Sequence, residues 1–411
     1  MAAARGAYAA APAGRPVAGL SPGIVAGASD CDPTTVTTLA VVGSQTGFSL
    51  AWVVVLLFPM MAAIQATASA VGVATGCGLQ EVITRRFGRR VALVSLVSLL
   101  AVNLLTLVAD LEGGAAAVGL LAGASWRWFV VPLAGAVAIV LCAGDHRTVR
   151  RLLSAVVVLL LAYVPAAVLA HPAWRRVLID SVLPSFSPTP ATLTSILTLM
   201  GTTLTGYVYF WQTIEEHTHH GVRTRRLAQR DAVLGMAAVS VVFWFILVAS
   251  GATLGGRGVT VHTAEDAAQA LRPVAGPLAS WVFALGVLAS AVLALAVLAM
   301  TTAHAVHETF PVLRGVRTAG WRGHRRMIAA SLLVAGLAGL AGIPPVGILL
   351  AAGVAGGIST PITMLLLLLV ARDPGCMHGV PIGRPLAAGA AVTIMLMTSA
   401  SLACIGVALA R

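Results

Sequence analysis

From about residue 20 onward the chain is a succession of long apolar stretches separated by short connections that carry most of the Pro and Arg. A helix crossing a bilayer needs roughly 20 predominantly apolar residues. Eleven stretches are candidate spans, with bounds good to a few residues, at about 23–43, 49–74, 90–109, 128–144, 152–170, 192–216, 231–254, 277–303, 327–342, 344–371 and 386–410. The longest connections are roughly 20 residues, too short for a soluble domain. The pattern therefore predicts an all-α integral membrane protein with a tail over 1–20 and a core over 21–372. Within the core, spans 1–5 occupy about 21–170 and spans 6–10 about 192–371; a loop and an eleventh span follow over 373–411. The Ala/Gly/Pro-rich tail lacks a continuous apolar stretch and reads as a cytoplasmic segment rather than a signal peptide.

Two spans are interrupted. In span 1, Pro33 removes a backbone N–H, and Asp32 before it is pushed away from helical geometry. Gly23, Gly27 and the Ser/Thr cluster weaken the helix further. In span 6, Gly201, Thr202, Thr203, Thr205 and Gly206 are poor helix formers at mid-span. The two breaks lie five spans apart, the pattern expected of a transporter built from inverted repeats with its site at the midplane.

Composition removes most other classes. Of 411 residues, 58% are apolar and 10% charged, and mean hydropathy is +0.94. Soluble domains carry about 25% charged residues, so a soluble enzyme, a disordered chain and a nucleic-acid binder are excluded. All 26 basic residues are Arg. Without Lys there is no P-loop lysine and no Schiff-base lysine, and no cofactor is implied. With the N-terminus in the cytoplasm, 20 Arg fall on the cytoplasmic side and 6 outside. That asymmetry sets the orientation and makes the C-terminus external. None of the five Cys forms a CxxC pair, so no disulfide framework is expected.

Acids at membrane depth are costly and mark function. They form three clusters: Asp30 with Asp32 in span 1, Asp110 with Glu112 at the end of span 3, and Glu215 with Glu216 at the end of span 6. Broken backbone, the Asp32 carboxylate and the Thr34 and Thr35 hydroxyls make an oxygen-rich cation site. Other features are discounted. His307-Glu308 has Pro311 where a zinc protease needs its second His, and His217, His219 and His220 sit in an Arg-rich loop. The Gly23-xxx-Gly27 and Gly353-xxx-Gly357 pairs are common packing motifs. Rival readings are a transporter of an organic solute such as an amino acid, a membrane-embedded hydrolase, and a non-transporting sensor. No nucleophile–base pair supports the hydrolase.

The strings Ser21-Pro22-Gly23, Asp32-Pro33-Thr34-Thr35 and Thr75-Gly76-Cys77-Gly78-Leu79-Gln80-Glu81 resemble the GPG, DPGN and TGxxLxE elements of the Nramp family of divalent-metal transporters. Gly201 followed by Thr205-Gly206-Tyr207 stands where that family has a Gly and then Met-Pro-His. GASDCDP and GTTLTGYVYFWQ are closer still to a divergent bacterial branch that lacks the methionine. The resemblance covers about residues 20–372 and implies the LeuT-type 5+5 inverted repeat with broken helices 1 and 6. It also implies a metal cation as substrate, held by Asp32, Thr35, the Thr202 carbonyl and Thr205. Asp30, Thr34 and Tyr207 are then expected at the entrance or behind the ligands, and Asp110 and Glu112 on a proton pathway. The second acid of the family's D-L-A-E element is Gly113 here. Thr205 offers a hard oxygen where the family has a soft thioether, so the expected cargo is Mg²⁺, Mn²⁺ or a similar hard ion. A Tyr phenol titrates far above neutral pH, unlike the imidazole it replaces, so weak proton coupling is expected.

Overall fold

The structure, a computed structural model, describes residues 21–143, 163–185, 189–218, 224–255, 279–310, 320–341 and 345–409. The tail and most of span 5 lie outside the described residues. In chain order the helices are α1 (Pro22–Asp30), α2 (Pro33–Thr46), α3 (Ala51–Thr75), α4 (Leu79–Ala122), α5 (Arg127–Ala143), α6 (Tyr163–Leu169), α7 (Trp174–Val182), α8 (Pro190–Thr203), α9 (Gly206–Thr218), α10 (Arg225–Thr253), α11 (Ala279–Thr309), α12 (Gly320–Gly339), α13 (Pro345–Arg372) and α14 (Arg384–Leu409). Of these, α3, α4, α10, α11, α13 and α14 are long and apolar enough to cross a membrane unaided.

Span 1 is split into α1 and α2, and span 6 into α8 and α9, with two non-helical residues at each break: Cys31 and Asp32, Leu204 and Thr205. The restart of span 1 is written in the sequence. Asp32 is extended (φ −75°, ψ 166°) and caps α2, while Pro33 occupies the first turn, where its missing N–H costs nothing. Thr189 and Pro190 start α8 in the same way.

Equivalent members of the two five-span halves pack together, α3 on α10 and α4 on α11. α2 lies on α10 as α9 lies on α3. This is the LeuT-type 5+5 inverted repeat, and α14 is an added span resting on α13 and α3. Loops that the Arg count assigns to one side meet in space. Arg86, before span 3, pairs with Asp373, after span 10, and holds that carboxyl below the usual carboxylate range. Arg225 donates to the Val380 carbonyl (2.5 Å). At the other end, Ser185 donates to the Ser49 carbonyl (3.2 Å).

Lipid tails are as apolar as Leu, so helices in a bilayer associate through close backbone approach. Both discounted Gly pairs do this. A Cβ on Gly201 of α8 would collide with the Gly353 carbonyl of α13 and stand 2.5 Å from the Gly357 nitrogen. Gly27 of α1 comes within 2.8 Å of the Gly235 carbonyl by the same measure, and the Gly23 N–H donates to Asp231 (3.0 Å). Span 3 differs from expectation. Predicted over about 90–109, it continues to Ala122, and the non-helical Gly88 (φ +81°) separates it from the helical segment that begins α4 at Leu79. Asp110 and Glu112 therefore lie inside the span rather than at its end. Their side chains are buried in protein, which is why acids there do not stop the helix. The short α7 was not anticipated; Trp174 stacks on Trp244 (6.4 Å), whose indole donates to Ser181 (2.9 Å).

Candidate cation site

The break in span 1 is built around Asp32. One carboxylate oxygen, Oδ1, accepts the Thr35 N–H at 2.6 Å. The other, Oδ2, lies 3.1 Å from the Tyr207 hydroxyl, which is also 2.8 Å from the Ser29 carbonyl at the end of α1. A phenol has one proton to donate, so it divides between these two acceptors. Thr35 donates its hydroxyl to the Thr202 carbonyl (3.2 Å), tying the start of α2 to the end of α8 across the centre of the bundle.

Asp110 joins from span 3. Its Oδ1 accepts both the Thr34 N–H (3.2 Å) and the Thr34 hydroxyl (2.6 Å). Two carboxylates thus meet the first turn of α2, where the exposed N–H groups and the helix dipole favour negative charge. Asp30 lies at the end of α1, fully buried, and neither of its oxygens has a hydrogen-bond partner. Asp110 Oδ2 and Thr205 Oγ1 are likewise buried and unpartnered. Orphaned buried oxygens each cost about 1–3 kcal/mol, and such groups call for a missing ion or water. Cys31, between the two carboxylates, is a buried free thiol.

Of the residues singled out in the sequence, Asp32, Thr34, Thr35, Thr202, Tyr207 and Asp110 make hydrogen bonds around the breaks, Asp30 is the last residue of α1 and Thr205 sits in the span 6 break. Glu112 does not join them. It faces the opposite side of α4, where its Oε1 would be 3.4 Å from a Cβ on Gly339 of α12. Gly113 faces the site, but its missing Cβ would stand 2.8 Å from Pro33 Cβ. The glycine lets span 3 approach the break. The Ser29 carbonyl was not anticipated; no side chain signals it, because it is exposed by where α1 ends.

The sequence model of the natural resistance-associated macrophage protein-like family, Nramp, matches residues 23–406. The chain belongs to the Nramp family. Among curated Nramp relatives, it is 28% identical over 281 residues to a divalent metal cation transporter of Deinococcus radiodurans, a match covering 66% of this chain and 64% of that protein. A Mycobacterium tuberculosis protein described in the same words is 28% identical over 287 residues, with 66% and 65% covered. The chain thus spans slightly under two thirds of the length of these relatives. Among solved structures, a manganese transporter of Eremococcus coleocola superposes with a TM-score of 0.74 at 17% identity, covering 93% of this chain and 84% of that one. MhsT in complex with L-phenylalanine shares the fold with a TM-score of 0.62 at 14% identity, over 94% of this chain and 97% of that one.

Proposed function

We propose that this Nramp protein moves a divalent metal cation across the membrane by alternating access, through a midplane site between the breaks in spans 1 and 6. One observation carries the reading: Asp30, Asp32 and Asp110 are buried around one break, and among the described residues none forms an ion pair. Uncompensated buried charge is strongly unfavourable, and a cation supplies the compensation. The curated relatives' description as divalent metal cation transporters supports this.

Asp32 is the anchor ligand, with Thr35, Thr205 and the Thr202 carbonyl completing an oxygen set. Asp30, Thr34 and Tyr207 stand at the entrance or behind the ligands. The set has no sulfur or imidazole and suits a hard ion such as Mg²⁺ or Mn²⁺. Asp110, bonded to Thr34 in the first turn of α2, is the candidate proton acceptor, whereas Glu112 faces away. A cavity of about 320 Å³ lined by Gln45, Thr194, Ser195 and Thr198, among others, lies on the α2–α8 side and is the entry vestibule. The protein has no enzymatic activity in this reading. It is a multi-pass protein of the cell membrane with the N-terminus cytoplasmic and the C-terminus external; the meeting of loops from one side supports the span count.

The test is flux into proteoliposomes with Mg²⁺, Mn²⁺, Fe²⁺, Ca²⁺ and a mixture of amino acids. Uptake of a divalent ion that vanishes in Asp32→Ala is expected. Amino-acid uptake without metal uptake would overturn the reading. The fold alone allows an organic solute, as the phenylalanine-bound neighbour shows. Such sites present helix N-termini to a substrate carboxylate, and here Asp32 and Asp110 already occupy that position.

A further inference from the structure

Span 10 carries a proline in its interior. Pro361 of α13 has no N–H, so the carbonyl four residues earlier, that of Gly357, loses its helical donor. Gly357 is buried, and at membrane depth a freed carbonyl has to find its partner within the protein. The eleventh span supplies one. Ser401 is buried on α14, a helix whose Met395, Leu402 and Ile405 are exposed. Its hydroxyl lies 2.8 Å from the Gly357 carbonyl oxygen and 2.7 Å from that of Met397 in its own helix. One proton serves both, but Met397 lies inside α14 with an ordinary residue four positions on, so the unmet need is at Gly357. The same stretch of α13 packs against the broken span 6. A Cβ on Gly357 would stand 2.5 Å from Leu197 of α8, one on Gly356 2.7 Å from the Gly201 carbonyl, and one on Gly353 2.7 Å from the Thr202 methyl. Beyond the proline, Thr363 donates to the Thr360 carbonyl (3.0 Å) and accepts the Tyr209 hydroxyl of α9. Span 10 therefore touches span 6 on both sides of its break.

We infer that Ser401 is a positioning residue of the cation site. By pairing the carbonyl that Pro361 frees, it holds span 10 against Gly201 and Thr202 and so sets where the Thr202 carbonyl stands. The inference rests on the transport reading, in which that carbonyl completes the oxygen set around Asp32 and Thr35. Span 11 then acts on the site without touching the ion, through one hydroxyl and one helix. Without the Ser401 hydroxyl the Gly357 carbonyl regains a partner only if α13 moves, and α8 moves with it, because the glycines leave no gap between the two backbones. The dependence exists only because of the proline. An N–H at position 361 would pair the Gly357 carbonyl within α13 and leave Ser401 with nothing to hold.

The experiment is the concentration dependence of Mn²⁺ and Mg²⁺ uptake into proteoliposomes holding the full chain. Wild type is compared with Ser401→Ala, Ser401→Thr, Pro361→Ala and the double variant Pro361→Ala/Ser401→Ala, each first checked for a monodisperse elution profile. Ser401→Ala should raise KM about fivefold, the worth of one hydrogen bond, with the maximal rate per inserted copy little changed. A merely structural role would instead lower the number of active copies, and so the maximal rate, and leave KM alone. Ser401→Thr keeps the hydroxyl and should restore KM to within about twofold of wild type. In the Pro361→Ala background, Ser401→Ala should change KM by less than about twofold, the margin within which independent sites add. Equal KM in wild type and Ser401→Ala, or the same rise with and without Pro361, would overturn the inference and leave the transport reading standing. No saturable uptake of either ion by wild type would overturn the transport reading and the inference with it.

Discussion

At the scale of single residues, Asp32 caps α2, and in the proposed function it also holds the cation. Asp32→Asn keeps a capping oxygen for the Thr35 N–H but removes the charge, whereas Asp32→Ala removes both. Flux should therefore be lost in both, with the drop in thermal stability of the metal-free protein larger for Ala by about 1 kcal/mol, the usual worth of a cap. Melting curves in detergent beside liposome flux would check this; wild-type flux in Asp32→Asn would show that the charge is not required. Thr205 has a buried hydroxyl without a partner. Thr205→Met places a soft thioether there and should raise the Cd²⁺/Mg²⁺ and Mn²⁺/Mg²⁺ uptake ratios while slowing transport, since ligand softness sorts these ions. An unchanged ratio would place Thr205 outside the ion's ligands.

At the scale of elements, the position of span 3 depends on one missing side chain. Gly113 permits Pro33 to approach, and a Cβ there would be 2.8 Å from the proline ring. Gly113→Glu, which restores the acid of the family's span 3 element, should therefore not add a proton relay. It should push α4 from the break, costing about 1–3 kcal/mol as overpacking does, and disturb the Thr34–Asp110 bonds. A lower melting temperature with reduced flux is expected, and faster proton-coupled uptake at unchanged stability would contradict the packing account. The start of α1 has a similar dependence. Asp231 accepts the Gly23 N–H, and Asp231→Ala should loosen the seam between α1 and α10 by about 1 kcal/mol, read as earlier proteolysis near residue 23.

At the scale of the whole molecule, the Arg-rich loops 2–3, 6–7 and 10–11 share one face. A cysteine placed at Arg85 in a cysteine-free background should react with an impermeant maleimide only in opened cells, while one at Ser185 should react in intact cells. The reverse pattern would invert the topology. Because α2 and α8 are tied to each other through Thr35 and the Thr202 carbonyl, and α1 to α9 through Tyr207 and Ser29, the two broken spans are linked on both sides of the site. Tyr207→Phe removes the second link and leaves the first.

Much of this was legible in the chain. Length and apolarity of the stretches dictated membrane spans, because a bilayer admits little else. Pro33 behind Asp32 dictated the break in span 1, because ring and carboxylate both favour a helix start there. The Gly/Thr run marked the break in span 6, and the intramembrane acids Asp30, Asp32 and Asp110 pointed to the candidate site. The tertiary structure alone decided which of these residues meet. Asp110 and Glu112 are two residues apart in sequence, yet a helix turns about 100° per residue, so one reaches Thr34 and the other faces α12. Gly113 reads as a lost acid in the sequence and is a contact surface in the fold. The carbonyls of Ser29 and Thr202 carry no signature in residue type, since every residue has one. They become acceptors for the site only because two helices end there and a third dimension brings those ends together.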